Sequence, residues 1–202
     1  MRHFFLCLAF FVAAPAFADA PVLVLGDSLS AAYRIDPNAG WVSLLSQRLK
    51  TQSPPVDVVN ASISGETTSG GLSRLPPLLA TNKPRAVIVE LGANDALRGL
   101  PIEQIRRNLD AIIKTSRDAG AKIVLLGIEL PVNYGPQYRT ALREMYRDAA
   151  GEFNVPLVPF LLDGVAQDPK LMQDDGMHPL ATGEPKVLEN VWPTLKTAIG
   201  AK

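Results

Sequence analysis

Two residues near opposite ends of this chain, a serine and a histidine, are of types that could together carry out acyl chemistry. The apolar run PVLVL stops at Gly26, Asp27 and Ser28, which places Ser28 at the end of an expected strand. His178 lies in the segment QDDGMHP, with Asp175 three residues before it and Asp174 beside that carboxylate. A serine hydroxyl is a poor nucleophile at neutral pH, so a base must take its proton as it attacks a carbonyl carbon. Imidazole, which titrates near neutrality, is the natural proton acceptor and later donor. A carboxylate on the other ring nitrogen would fix the tautomer and stabilise the imidazolium. Spacing alone does not separate Asp174 from Asp175 in that role.

The elements that must unite these residues alternate along the chain. Short β-branched runs fall at Val22 to Leu25, Val56 to Val59, Ala86 to Leu91, Lys122 to Ile128, and Leu157 to Val158. Amphipathic stretches lie between and after them: Trp41 to Lys50, Ser69 to Ala80, Ile102 to Ala119, Gln137 to Phe153, and Glu184 to Ile199. In the third of these, Ile105, Leu109, Ile112 and Ile113 recur at the helical period, while Arg106, Arg107, Asp110 and Lys114 fill the other face. Strict alternation predicts an α/β fold with a parallel sheet covered by helices on both faces. Ligands in such sheets bind beyond the carboxyl ends of the strands. The segments that follow those ends, GDSLS, NASISGET, GANDALRG and ELPVNYG, are therefore the places to search, although Gly, Asn, Asp and Ser are also ordinary turn formers.

Residues 1–18 read as an export signal: Arg2 and His3, an apolar run from Phe4 to Val12, then Ala16, Phe17 and Ala18 in the small-residue cleavage pattern. The run is shorter than the roughly 20 residues a bilayer span needs. Cleavage after Ala18 would remove His3 and the only cysteine, Cys7, leaving His178 as the single histidine and no disulfide chemistry. Residues 19–202 then form one expected domain, in the periplasm or secreted. With 20 basic and 20 acidic residues in the whole chain, nothing favours nucleic acid or an acidic membrane surface as partner.

Taken in order, GDSLS, Gly65 in NASISGET, Gly92 and Asn94 in GAND, and Asp175 and His178 in DGMHP resemble the blocks of the SGNH or GDSL hydrolase superfamily. The stretches NASISGETTSGGLSRLP, ELGANDALRG, LPVNYG and MQDDGMHP resemble its bacterial periplasmic thioesterase, lysophospholipase and arylesterase branch. The resemblance spans essentially the whole mature chain and departs most at Leu180 to Pro185. It implies a three-layer α/β/α, flavodoxin-like fold with a five-stranded parallel sheet, and a monomer. It also implies a triad of Ser28, His178 and Asp175, with Asp175 preferred because the family carboxylate precedes its histidine by three residues. The implied oxyanion hole is the backbone N–H of Ser28, the backbone N–H of Gly65 and the side-chain amide of Asn94. Such donors must sit where negative charge develops in the tetrahedral intermediate. Gly92, Asp27 and Asp95 are expected to brace loops.

Competing chemistries lack their residues. There is no G-x-S-x-G nucleophile elbow, HExxH, Cys-x-x-Cys, Walker loop or Rossmann fingerprint. One histidine does not assemble a usual transition-metal site, so neither metal nor cofactor is expected. Leu72, Leu75 and Pro76 after the Gly65 loop, and Leu130, Pro131 and Tyr134 after the fourth strand, are the expected lining of an apolar groove, with core packing as the alternative. A groove would favour small acyl esters, thioesters or lysophospholipids, without stable membrane insertion. A carbohydrate deacetylase, or a binding protein without turnover, is the competing reading.

Overall fold

The computed structural model describes residues 20–201; the expected export signal lies outside the described residues. Five strands, β1 (Val22–Gly26), β2 (Val58–Asn60), β3 (Ala86–Glu90), β4 (Lys122–Leu126) and β5 (Leu157–Val158), form one sheet in the order β2-β1-β3-β4-β5. Every pairing is parallel. β1 and β3 are buried along their whole length, which explains why these strands read as unbroken apolar runs rather than alternating ones. Two groups of helices cover the sheet. α1 (Trp41–Lys50) packs with α6 (Glu184–Ile199), while α2 (Thr68–Asn82), α4 (Ile102–Asp118) and α5 (Pro136–Phe153) pack in sequence. On α4, Ile105, Leu109, Ile112 and Ile113 are all buried, so the helical period does point this face at the sheet.

The five-stranded, three-layer α/β expectation holds, with differences at element ends. A short helix, α3 (Ala93–Leu97), occupies GANDALRG, where the sequence suggests only a loop. Its start is set by Gly92 at φ +122°, where a β-carbon would lie 2.4 Å from the Tyr146 hydroxyl. That hydroxyl donates to the Leu91 carbonyl at 2.6 Å, so the turn out of β3 is tied to α5 and only glycine fits it. β2 is shorter than its apolar run because Val56 and Asp57 precede the ladder. No helix among the described residues is long and apolar enough to cross a membrane.

The sheet order matters for the site. Connections leave β1 toward β2 on one side and β3 toward β4 on the other, so the loops after β1 and β3 diverge and leave a crevice between them. Ser28 follows β1 and Asn94 follows β3.

Candidate active site

β1 ends in a tight turn. The Asp27 carbonyl accepts the Ala31 N–H at 3.0 Å, and its Oδ1 accepts the Leu29 N–H at 3.1 Å. Ser28 therefore projects from the first turn after the strand, half-buried. Two non-glycine residues in the following segment, Ala32 and Arg34, both have φ of +56°. That left-handed backbone stores local strain in the segment that follows the Ser28 turn.

The histidine arrives on a loop closed on itself. Met172 and Pro179 form an isolated antiparallel bridge, and Gln173 N–H donates to the His178 carbonyl at 2.8 Å. Within the loop, Asp175 Oδ1 accepts the N–H groups of Met177 and His178 at 2.9 and 3.0 Å. Its other oxygen, Oδ2, lies 2.8 Å from His178 Nδ1. With Nδ1 donating to Asp175, Nε2 is left to accept, and it lies 2.8 Å from Ser28 Oγ. Of the two adjacent carboxylates it is Asp175 that bonds both the ring and the N–H of His178, while Asp174 lies exposed. Partial burial pushes the Asp175 carboxyl up, but the Met177 N–H, the His178 ring and the His178 N–H outweigh it and hold it below the ordinary carboxylate value. Asp175 thus stays ionised next to the ring.

Of the three expected oxyanion-hole residues, Ser28 and Asn94 line the cavity and Gly65 does not. Gly65 sits exposed in the loop between β2 and α2 with φ +82°, a conformation that favours glycine, and a β-carbon there would meet nothing within 4 Å. Asn94 at the start of α3 donates from Nδ2 to Asp27 Oδ2 and to the Glu66 carbonyl, both at 3.0 Å. The bond to Asp27 thereby fixes the orientation of the amide. Asp95, buried beside it, accepts from the Thr68 N–H at 2.8 Å and the Thr68 hydroxyl at 2.6 Å, tying α3 to the start of α2. Asp27 and Asp95 are thus both acceptors that brace loops.

Sequence reasoning missed three residues here. Tyr33 packs its ring on His178, centroids 4.5 Å apart and 40° between planes. Gln173 donates from Nε2 to the carbonyls of Tyr33 and Pro179, each at 2.8 Å, and so clamps the histidine loop to the serine segment. Glu90, at the end of β3, is fully buried and accepts the Asp27 N–H at 3.1 Å and the Ser30 hydroxyl at 2.8 Å. The available signal for Glu90 was an acidic residue inside the apolar run Ala86 to Leu91.

From Ser28 and His178 a cavity of about 580 Å³ opens along the carboxyl ends of β4 and β5. Leu97, Ile128, Leu130, Phe160, Leu162 and Met172 form much of its apolar wall, with Pro131 and Val132 at one side. Leu130 and Pro131 therefore belong to it. Leu72, Leu75, Pro76 and Tyr134 do not line it, which corrects the expected groove. Leu75 is core on the inner face of α2, Leu72 packs at the edge of that core, and Pro76 is exposed. Tyr134 instead donates its hydroxyl to the Leu97 carbonyl at 3.1 Å, behind the wall.

The fold, with hydroxyl, imidazole and carboxylate aligned at its switch point, defines an α/β hydrolytic enzyme built without a nucleophile elbow. The GDSL-like lipase/acylhydrolase family model matches residues 24–184, and the chain belongs to that family. It is similar to Esterase TesA of Pseudomonas aeruginosa, 49% identical over 190 residues that span 94% of each chain. It is also similar to Thioesterase 1/protease 1/lysophospholipase L1 of Escherichia coli K12, 44% identical over 92% of this chain and 87% of that one. The crystal structure of the psychrotrophic esterase EstA from Pseudoalteromonas sp., inhibited by monoethylphosphonate, matches with a TM-score of 0.85 at 37% identity. That match covers 90% of this chain and 100% of the other. This chain is accordingly an esterase-type hydrolase.

Proposed function

We propose that the protein is an exported serine esterase that cleaves acyl esters, thioesters and lysophospholipids as a monomer, with residues 1–18 removed as the signal. The observation that carries this reading is the unbroken chain from Ser28 Oγ through His178 to Asp175, with both links at 2.8 Å, at the mouth of an apolar cavity. His178 Nε2 takes the Ser28 proton as Oγ bonds to the acyl carbon, and Asp175 stabilises the imidazolium. The oxyanion is received by the N–H groups of Ser28 and Gly65 and by the Asn94 amide. Collapse expels the alcohol or thiol, which takes the proton from His178 and leaves an acyl group on Ser28. Water, deprotonated by His178, then releases the acid and restores the hydroxyl. The apolar wall favours a substrate with an acyl chain over an acetylated sugar.

A panel of p-nitrophenyl esters, acyl thioesters and lysophospholipids tests the reading. Ser28→Ala is expected to reduce turnover by roughly 10⁴-fold or more with an unchanged fold. A phosphonate ester should label the wild type at Ser28, stoichiometrically. Full activity in Ser28→Ala, or labelling elsewhere with loss of activity, would refute it.

A further inference from the structure

The hydrolytic mechanism above, on which this inference rests, leaves one buried titratable residue unused. Glu90 has no exposed surface and ends the strand adjacent to β1, in register with Gly26. Its Oε2 receives two hydrogen bonds, from the Asp27 N–H and the Ser30 hydroxyl, which bracket Ser28 in the turn. Its Oε1 is buried with no hydrogen-bond partner. The fit is close: a β-carbon on Gly26 would lie 2.8 Å from Ser30 Oγ and 2.9 Å from Glu90 Oε2.

The groups facing Glu90 leave little room for a second charge. Asp27 is the neighbouring carboxyl, Ser30 is neutral, and the Tyr146 phenol is held uncharged by burial and by the nearby carboxyls of Glu90, Asp27 and Asp95. Among the described residues, Glu90 is in no ion pair, and the imidazole of His178 acts on Asp27 rather than on Glu90. An unpaired carboxylate in such a place avoids the large cost of charge burial by keeping its proton. Burial first, and then the Asp27 charge, push the Glu90 carboxyl well above the ordinary range. Burial also raises Asp27, to about 6, against the pull of its hydrogen bonds. Both Asp27 oxygens accept hydrogen bonds, from the Leu29 N–H and the Asn94 amide, whereas Glu90 Oε1 accepts none, so Asp27 is the better holder of a negative charge in this pair.

We propose that Glu90 is a positioning residue that acts as the neutral acid. Its Oε2 fixes the turn presenting Ser28, and its lack of charge leaves Asp27 as the anion of the pair, holding the Asn94 amide. The reason is electrostatic. Asp27 must be ionised to grip Asn94 firmly, but a second anion beside it would oppose the negative charge that forms on the substrate oxygen, in a region where water screens poorly.

Gln at position 90 keeps the acceptor and carries no charge, whereas Leu removes the acceptor. Glu90→Leu is expected to lower kcat about tenfold or more with KM changed less than about threefold, and Glu90→Gln to restore kcat to within about threefold of wild type. In wild-type protein labelled with ¹³C at glutamate carboxyls, the Glu90 signal, assigned by its absence from Glu90→Gln, should sit at the protonated position at pH 7. An ionised Glu90 at pH 7, or a Gln variant as slow as the Leu variant, would overturn the proposal. If Glu90→Leu does not fold, the carboxyl signal and the Gln variant decide it alone. Phosphonate titration of Ser28 in the wild type separates the two levels: an unlabelled Ser28 refutes the hydrolytic reading, whereas a labelled Ser28 with an ionised Glu90 refutes only this inference.

Discussion

Gln173 joins the two halves of the site: its side-chain nitrogen donates to the Tyr33 carbonyl, 140 residues away, and to the Pro179 carbonyl, one residue beyond the histidine, at 2.8 Å in both cases. Tyr33 in turn lies against the imidazole. The 2.8 Å contact between Ser28 and His178 thus depends on a clamp that touches neither reacting atom. Loss of fine positioning of this kind costs rate rather than binding. Gln173→Leu is therefore expected to lower kcat about tenfold with little change in KM, and to slow phosphonylation of Ser28 in parallel. Unchanged phosphonylation kinetics would show that the loop is held in place without the clamp.

The apolar wall predicts how acyl length is read. Ala166 is exposed at the cavity lining, and its N–H donates to the Leu162 carbonyl at 3.0 Å. Replacing it with Trp would take up cavity space that a long acyl chain needs more than a short one does. Ala166→Trp should retain activity on acetyl and propionyl esters and lose about tenfold or more on decanoyl esters, which corresponds to roughly 1 to 3 kcal/mol of lost apolar contact. Leu72→Ala, outside the cavity, should leave the ratio of long-chain to short-chain rates as it is. A ratio that shifts in Leu72→Ala and not in Ala166→Trp would place the chain elsewhere.

This contrast shows where the sequence was legible. Ser28, Asn94, Asp175 and His178 sit at element ends, in short polar blocks that stand out against the apolar runs before them, and strand order with parallel pairing brings them to one crevice. The cavity wall offers no such block. Phe160, Leu162 and Met172 come from an irregular stretch after β5 with no periodicity, and their role depends on how that stretch folds back over β4. Leu72 and Leu75 look identical in composition to wall residues, but the phase of α2 turns Leu75 into the core. The sequence marks Glu90 as a charge in an apolar strand, whereas its purpose appears only when Gly26 is seen across from it in the sheet. The short α3 escaped notice because it is five residues long and begins on a positive-φ glycine rather than at a conventional cap.

Asp95 supports a prediction about stability coupled to turnover. It is buried and satisfies both the N–H and the hydroxyl of Thr68, whose oxygen also accepts from Asn108 at 2.9 Å. Removing the carboxylate leaves the start of α2 with buried donors unpaired and frees α3, which carries Asn94. Asp95→Ala should destabilise the fold by about 3 kcal/mol. In chemical denaturation the midpoint should fall, and below it kcat should decrease more than the apparent affinity. A variant as stable as wild type would mean that solvent enters and replaces the lost bonds.

The last prediction concerns pH and lies away from the reacting groups. Glu184, the first residue of α6, is buried and accepts the Trp41 N–H at 2.9 Å, capping the start of α1 from another element. Burial raises its carboxyl from the ordinary 4.5 to about 7, against the smaller opposing effect of the Trp41 bond. Because the folded state holds this proton more tightly than the unfolded chain, the stabilisation is complete below about pH 4.5 and is lost progressively as pH rises toward 7. At about 1.4 kcal/mol per pH unit, the loss is on the order of 3 kcal/mol. Gln at this position accepts the same hydrogen bond and never ionises. Glu184→Gln should therefore match wild type near pH 4.5, exceed it by up to about 3 kcal/mol at pH 8, and show a smaller fall in Tm between those values. The raised carboxyls of Asp27 and Glu90 contribute equally to both proteins, so the difference between the two stability curves isolates Glu184. Parallel curves across that range would mean that Glu184 keeps its charge in the folded protein, with water or a cation reaching it.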